Sequence, residues 1–336
     1  MSAGTPRVVS LLPSATEILC AIGGERLLVG RSHECDFPAS VTRLPVLTAA
    51  RTRFESSAQV DRDVRASLDE SQSLYTLDLA LLERLRPDVI LTQDLCGVCS
   101  IDLASVRRLA ERISPSPAIV SLNPTTFEGV LDDHLTVGRA VGLDADAEAC
   151  VVRLRERIYR AAEYVTPFVD GPGVAFLEWT DPIFIGGHWT PQLIERAGAR
   201  HPLNPTVPVE GAGAGLGPIG ETQRAAGKSV RVPAEVLAAS RPDVLVVAPC
   251  GLSLEQAVRE TAALATSAWW AELPAVRAGG LGGAGGAGRV AIVDGNQMFN
   301  RPGPRLVDAF EFLVSFLNDR PEVMPAGFPW SRFPVV

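Results

Sequence analysis

The sequence predicts an α/β protein built as two lobes of similar plan joined by one long helix. Three observations predict it. Short apolar runs of strand length alternate with amphipathic helical stretches. A helix–turn–strand unit occurs twice: Leu82–Leu91 contains Arg86-Pro87-Asp88-Val89, and Leu237–Val246 contains Arg241-Pro242-Asp243-Val244. Between the halves lies an amphipathic stretch with neither Pro nor Gly.

The elements follow in the same order in both halves. An opening strand (Val8–Leu12; Val174–Leu177) precedes a helix (Ser14–Ile22; Pro191–Ala197). Each Arg-Pro-Asp turn then leads into a continuous apolar strand, as expected where both faces of a parallel sheet are covered. Ala118–Val120 and Ala291–Val293 are strands feeding helices over Thr126–Val141 and Pro304–Asn318. From about Ala145 to Val165, Val151, Leu154, Ile158 and Ala162 share one helical face, with Arg153, Arg155, Glu156 and Arg160 elsewhere. A helix of ~20 residues spans ~30 Å and reads as a strut. The expected organisation is a lobe over 1–130, a connecting helical segment over 131–168 and a second lobe over 169–336. Gly211–Gly220 and Gly279–Gly288 read as loops.

Composition narrows the function. The chain has 336 residues, 46% hydrophobic and 21% charged, which suits a folded protein with a sizeable core. Its net charge of −8 opposes non-specific binding to nucleic acid or anionic membranes. Lys228 is the one lysine beside many arginines, a composition bias rather than a binding signal. No window offers the ~18 apolar residues of a membrane span. The opening residues lack a basic segment followed by a long apolar run, so a cytoplasmic monomer is expected, or a periplasmic one if a leader precedes Met1. In a reducing compartment the six cysteines are expected to be thiols.

The opening Arg7–Glu17, with its Pro-Ser-x-Thr-Glu run, then Val29-Gly30 and Asp36-Phe37-Pro38, resembles the helical-backbone substrate-binding proteins of metal-chelate ABC importers, their cobalamin-binding branch above all. The likeness continues through Leu85–Ile90, Phe176–Trp179, Gly186–Gly198, Arg241–Leu245 and Asn300–Arg305, so it covers nearly the whole chain. It implies two Rossmann-like lobes, a single connecting helix and a ligand cleft between the lobes. It places Pro13, Ser14, Glu34, Gln93, Trp179, Asn300 and Arg301 on the ligand, with Trp179 as an aromatic wall and Arg301 as a polar contact. The sequence departs from the cobalamin pattern at Glu34, where that branch has tyrosine, and at Met298, where it has tryptophan. Of two importer-docking glutamates, Glu235 matches one and Ala80 stands at the other, which argues against docking on a permease.

Further candidates come from residue chemistry. Cys96-Gly-Val-Cys99 sits just after a strand and can bind metal or act as a redox dithiol. With His33 and Cys35 it makes a three-Cys, one-His set of the kind that holds zinc, or iron. The other possibility is that these cysteines are packing residues. Trp189 could stack on a flat ligand and His188 could be an axial ligand to cobalt or iron; equally, His188 could cap the following helix and Trp189 could pack. Cys20 and Cys150 are expected to pack inside helices, and His134 and His201 to lie on the surface. No acid–base pair or nucleophile is assignable, so a non-enzyme is expected: a binding protein for a corrinoid or related chelate. The alternative is a cytoplasmic metal-site protein or enzyme that reuses the fold.

Overall fold

Arg86 and Arg241 both adopt the left-handed backbone conformation, at φ 44° and 46°. Each therefore ends its helix abruptly and turns the chain through Pro-Asp into a strand. The computed structural model describes residues 4–51, 54–69, 74–94, 103–166, 170–209, 224–277 and 288–333. It divides into two compact units. The first comprises 1–55, 59–124 and 129–155; the second comprises 56–58, 125–128 and 156–336.

Unit 1 contains the strands β1 (Val8–Ser10), β2 (Leu28–Arg31), β3 (Thr48–Ala50), β4 (Tyr75–Leu77), β5 (Val89–Thr92) and β6 (Ala118–Ser121). Four of these form an all-parallel sheet in the order β2-β1-β5-β6. β3 and β4 form a separate antiparallel pair. β1 and β5 are buried along their whole length. Val9, Leu11, Leu47, Leu82, Ile90, Val106, Ala110 and Ile113 cluster on one side of the sheet. Gly30 in β2 has no room for a side chain, since a Cβ there would lie 2.5 Å from Leu47 and 2.7 Å from Leu85.

Unit 2 contains β7 (Val174–Thr180), β8 (Ile183–Ile185), β9 (Val207–Pro208), β10 (Arg224–Ala225), β11 (Val230–Arg231), β12 (Val244–Val247), β13 (Val290–Val293) and β14 (Trp330–Arg332). The main sheet runs β11-β8-β7-β12-β13-β14. Its centre, β7-β12-β13, is parallel, while β8, β11 and β14 are added antiparallel. The Leu306–Asn318 helix is apolar almost all round, with Phe310, Phe312, Leu313 and Val314 fully buried. Phe312 stacks on Phe328 with ring centroids 4.5 Å apart and meets Trp330 edge-on at 5.3 Å.

The expected strands and helices are present within a few residues at each end. The opening helix is Pro13–Ala21, and the stretch predicted helical from about Ala145 to Val165 forms the helix Asp144–Ala162. No described helix is long and apolar enough to cross a membrane. The described cysteines Cys20, Cys35, Cys150 and Cys250 are free thiols. Burial pushes the Cys20 thiol up to about 12, helped by the charges of Glu25 and Glu17, so it is a packing group and not a nucleophile. The predicted loops at Gly211–Gly220 and Gly279–Gly288 lie outside the described residues, apart from Gly288.

The two histidines expected on the surface are instead buried. His134 is fully enclosed in the helix Phe127–Val141, with Nδ1–H donating to Val130 O at 2.9 Å. His201 is equally enclosed, with Nδ1–H donating to Asn204 O at 2.9 Å. Polarity suggested exposure, but each ring spends one N–H on a local carbonyl and leaves Nε2 as a bare lone pair. Burial holds both rings neutral and lowers His134 to about 4, against the opposing pull of the Val130 carbonyl.

The repeated turn performs the same task in both units. Asp88 Oδ2 accepts the backbone N–H of Arg7 at 2.7 Å, while the N–H groups of Asp88 and Val89 return to Arg7 O. Asp243 Oδ2 accepts the N–H of Gly173 at 2.7 Å, while the N–H groups of Asp243 and Val244 return to Gly173 O. Each Asp thus clamps the residue just before the first strand of its sheet. Asp243 is half-buried and Asp88 exposed, so Asp243→Ala should cost about 1–2 kcal/mol in urea denaturation and Asp88→Ala less. Arg241→Gly should be neutral or stabilising by about 0.5–1 kcal/mol, because glycine adopts φ 46° without strain. A loss of stability in Arg241→Gly would remove the strain argument.

His134 makes stability fall in acid. Its native pKa of about 4 lies below the ordinary 6.5, so the stabilisation is complete above 6.5 and is lost as pH falls towards 4. The full loss is about 3 kcal/mol. Asp133 beside it works in the opposite sense, pushed up to about 7 by burial and by Asp132. The difference between the wild type and His134→Leu isolates the histidine: the variant's stability curve between pH 7 and 4 should be flatter by about 3 kcal/mol. Parallel curves would refute this.

Candidate functional site

Open α/β sheets bind ligands beyond the carboxyl ends of their parallel strands. In unit 1 those ends carry Pro13, Ser14, His33, Glu34, Cys35 and Gln93 among the expected residues. Pro13 and Ser14 follow β1 and open the Pro13–Ala21 helix, Pro13 half-buried and Ser14 buried. Gln93 follows β5 and is buried. Ser32, His33, Glu34 and Cys35 follow β2.

The loop after β2 is organised by a buried cation. The Arg31 guanidinium donates to Ser32 O and Cys35 O, each at 3.0 Å, and to Thr42 O at 2.8 Å. Three carbonyls from one loop converge on this planar fork, which holds the segment carrying His33. The His33 backbone N–H donates to Thr48 Oγ1 at 3.0 Å, and the His33 Nδ1 lies 2.7 Å from the same oxygen. Thr48 Oγ1 is also 2.9 Å from Ser32 Oγ, which accepts the Glu34 N–H at 3.3 Å. The ring is half-buried and tilted against Tyr75, with centroids 5.7 Å apart. Burial, and then the Arg31 charge, hold the His33 pKa below its ordinary value.

Cys35 has different surroundings. It is fully buried, and its Sγ accepts the Thr16 hydroxyl at 3.0 Å. Cys96 and Cys99, the rest of the expected metal set, lie outside the described residues. Among the described residues no group of three His, Cys, Asp or Glu side chains could hold a metal ion.

In unit 2, Trp179 lies near the end of β7, half-buried, with its Nε1–H donating to Asp181 O at 3.1 Å and Ser57 O at 3.3 Å. Its polar edge is committed to backbone, which leaves the ring faces as its contribution to any ligand. Beside it, Thr180 Oγ1 lies 2.7 Å from Ser57 Oγ and 2.8 Å from Glu260 Oε2. This polar knot was not legible in the sequence, where Ser57, Thr180 and Glu260 are far apart and carry no motif. Glu178 meets Ser229 Oγ at 2.8 Å through both carboxylate oxygens.

His188 and Trp189 are not brought to the Trp179 end of β7. β8 runs antiparallel to β7, with Ile185 opposite Leu177, so the following turn moves back towards the start of β7. Gly187 there packs against backbone, since a Cβ would lie 2.3 Å from Ser229 N. His188 is the residue before the Trp189–Arg196 helix, at the strained φ of 54°, and makes no side-chain cap. Its Nε2 is enclosed without a partner among the described residues, and burial followed by the Lys228 charge holds its pKa down. Trp189 is only 7% exposed and its Nε1–H donates to Phe299 O at 2.6 Å. Trp189 therefore packs inside the unit.

Asn300 and Arg301 lie beyond β13. Asn300 Nδ2 donates to Ala248 O at 3.1 Å and to Gly295 O at 2.8 Å, tying this loop to the end of β12. Arg301 is buried, and its Nη2 donates to Asn296 Oδ1 at 3.0 Å.

No protein-family model matches the chain, and no curated protein matches it in sequence. Solved structures do match in fold. The periplasmic haem-binding protein from Pseudomonas aeruginosa is similar with a TM-score of 0.64 and 21% identity over 94% of this chain and 93% of its own. The periplasmic vitamin B12-binding protein BtuF of Vibrio cholerae is similar with a TM-score of 0.59 and 18% identity over 94% of this chain and 98% of its own. The periplasmic haem-binding protein HutB of Vibrio cholerae is similar with a TM-score of 0.64 and 17% identity over 94% of this chain and 99% of its own. Along nearly its whole length, the chain has the two-lobed α/β fold of periplasmic binding proteins.

Proposed function

We propose that the protein is a non-enzymatic binding protein that captures a tetrapyrrole-type metal chelate, a haem or a corrinoid. The observation that carries this reading is the whole-chain likeness to structures named for two such ligands, haem and vitamin B12. Two local features support it. Polar side chains gather at the carboxyl ends of the parallel strands in unit 1, and Trp179 offers aromatic faces with its N–H already satisfied. Corrinoid and haem are both kept as candidates, because the likeness favours neither. The similar proteins are named periplasmic, and we propose an exported setting in place of the cytoplasmic one expected from the opening residues. The metal-site alternative has less support, since Cys35 is buried on Thr16.

Optical titration with hemin, cyanocobalamin and dicyanocobinamide tests the proposal. At least one should bind with a spectral change and a raised melting temperature. Trp179→Ala should weaken that binding by about 30-fold, the loss typical of one well-packed aromatic contact. Trp189→Ala should instead lower folding stability by about 3–5 kcal/mol, as for a buried aromatic. No response to any of the three ligands would overturn the reading.

A further inference from the structure

We infer that a small cavity in unit 2, lined by Arg157, Asp308 and Glu311 together with Met298 and Phe328, takes a carboxamide side group from the ligand's rim, so that the ligand is a corrinoid and not a haem. The inference rests on the proposed binding of a tetrapyrrole-type chelate and narrows it. Corrinoids carry acetamide and propionamide groups around the ring, whereas haem carries propionates.

The cavity measures about 290 Å³. Sites that enclose a whole small molecule run ~300–1,000 Å³, so this one has room for a side group and not for a tetrapyrrole ring. It lies beyond the carboxyl end of β13, where an open sheet presents groups to a ligand. Met298 follows that strand, and its N–H donates to Asp294 O. The Asp294 N–H donates to Pro329 O, which pins the loop carrying Phe328 to the same end. Phe328 is fixed further by its stack on Phe312. Met298 and Phe328 are both buried, so the apolar wall is held in place before any ligand arrives.

The polar lining comes from two helices. Arg157 belongs to Asp144–Ala162, and Asp308 and Glu311 lie three residues apart on Leu306–Asn318. Arg157 Nε and Nη2 donate to Glu311 Oε1 and Oε2 at 2.9 and 2.6 Å, and Nη2 also donates to Asp308 Oδ1. One edge of the guanidinium is thereby spent. Arg157 Nη1, with its two N–H groups, and Asp308 Oδ2 have no hydrogen-bond partner among the described residues. These two open groups are neighbours, because the atoms beside them, Nη2 and Oδ1, are bonded to each other.

The cavity therefore offers a donor and an acceptor side by side. A carboxamide answers both: its oxygen accepts from Nη1 and its NH2 donates to Oδ2. A carboxylate satisfies Nη1 but sets its second oxygen against Oδ2, where two carboxylates already share one guanidinium. An ammonium satisfies Oδ2 but turns hydrogens towards Nη1. The CH2 groups of an acetamide or propionamide suit the wall of Met298 and Phe328. Selection against the propionate is thus built from the same atoms as selection for the amide.

Asp308→Asn tests this with little change of shape. With its oxygen kept on Arg157 Nη2, the asparagine presents N–H groups where Oδ2 stood, and both open groups become donors. The probes are dicyanocobinamide, with amide side groups, dicyanocobyrinic acid, the same corrin with free carboxylates, and hemin. In optical titrations the wild type should bind dicyanocobinamide more tightly than dicyanocobyrinic acid by about tenfold or more, the worth of one hydrogen bond to a charged group. Asp308→Asn should weaken dicyanocobinamide and tighten dicyanocobyrinic acid, each by about tenfold. Glu311→Gln also removes a charge beside Arg157 but leaves Nη1 and Asp308 Oδ2 in place, so it should keep the preference for the amide. Damage to the fold would weaken both corrinoids alike, which separates recognition from a purely structural ion pair.

A wild type without preference for the amide corrinoid overturns the inference. So does an Asp308→Asn that moves both corrinoids in the same direction, or neither. Hemin binding with no corrinoid binding overturns the inference and leaves the chelate-binding reading standing. No response to any of the three probes overturns both.

Discussion

Both sheets depend on one contact made twice. A carboxylate in the turn before a central strand accepts the backbone N–H of the residue that precedes the first strand, while that residue's carbonyl accepts two N–H groups in return. The clamp joins segments far apart in sequence and sets the pairing of β1 with β5 and of β7 with β12, Val8 beside Val89 and Val174 beside Val244. A slip of one residue in a strand exchanges its two faces. In strands buried on both sides, the apolar pattern alone does not specify register, because both faces carry apolar residues. A polar clamp at the strand start supplies what the hydrophobic pattern lacks. The tight turn it needs explains why arginine occupies a left-handed conformation in each unit.

With register set, the carboxyl ends of the strands fall at defined places, and the loops that follow them inherit their positions. The loop after β2 shows how such a segment is held without a hydrophobic core of its own. Arg31 is buried, and its charge is spread over three carbonyls of the same loop. A guanidinium suits this role because its donors lie in one plane and point outward in a fixed fork. Thr48, from the antiparallel pair β3–β4, then fixes the orientation of the His33 ring. Backbone geometry, buried cation and hydroxyl chain act in series on one side chain.

Unit 2 positions its aromatics for two separate ends. Trp179 keeps its ring partly open and its N–H satisfied by carbonyls. Trp189 is enclosed and bonds Phe299, a residue itself held at φ 65°. The two tryptophans look alike as letters but have different surroundings, and the antiparallel return of β8 is what separates them. The Ser57–Thr180–Glu260 knot shows the same principle for polar groups: three residues without a shared motif form one part-buried network because the fold brings them together.

The amino-acid order by itself determined the alternation of strands and helices, the repeat of the Arg-Pro-Asp turn and the long helix Asp144–Ala162. These are local properties, set by apolar periodicity, by proline and by uninterrupted helical pattern. It also singled out His33 and Trp179, whose residue types are uncommon in this chain. The tertiary structure alone decided what those residues can do. His134 and His201 look like surface groups until the carbonyls that receive their Nδ1–H are in place and the fold encloses them. Likewise the orientation of the His33 ring depends on Thr48, a strand threonine that no spacing rule connects to it. Protonation and burial are set by neighbours in space, and those neighbours are chosen by register and loop geometry that no single segment of sequence encodes.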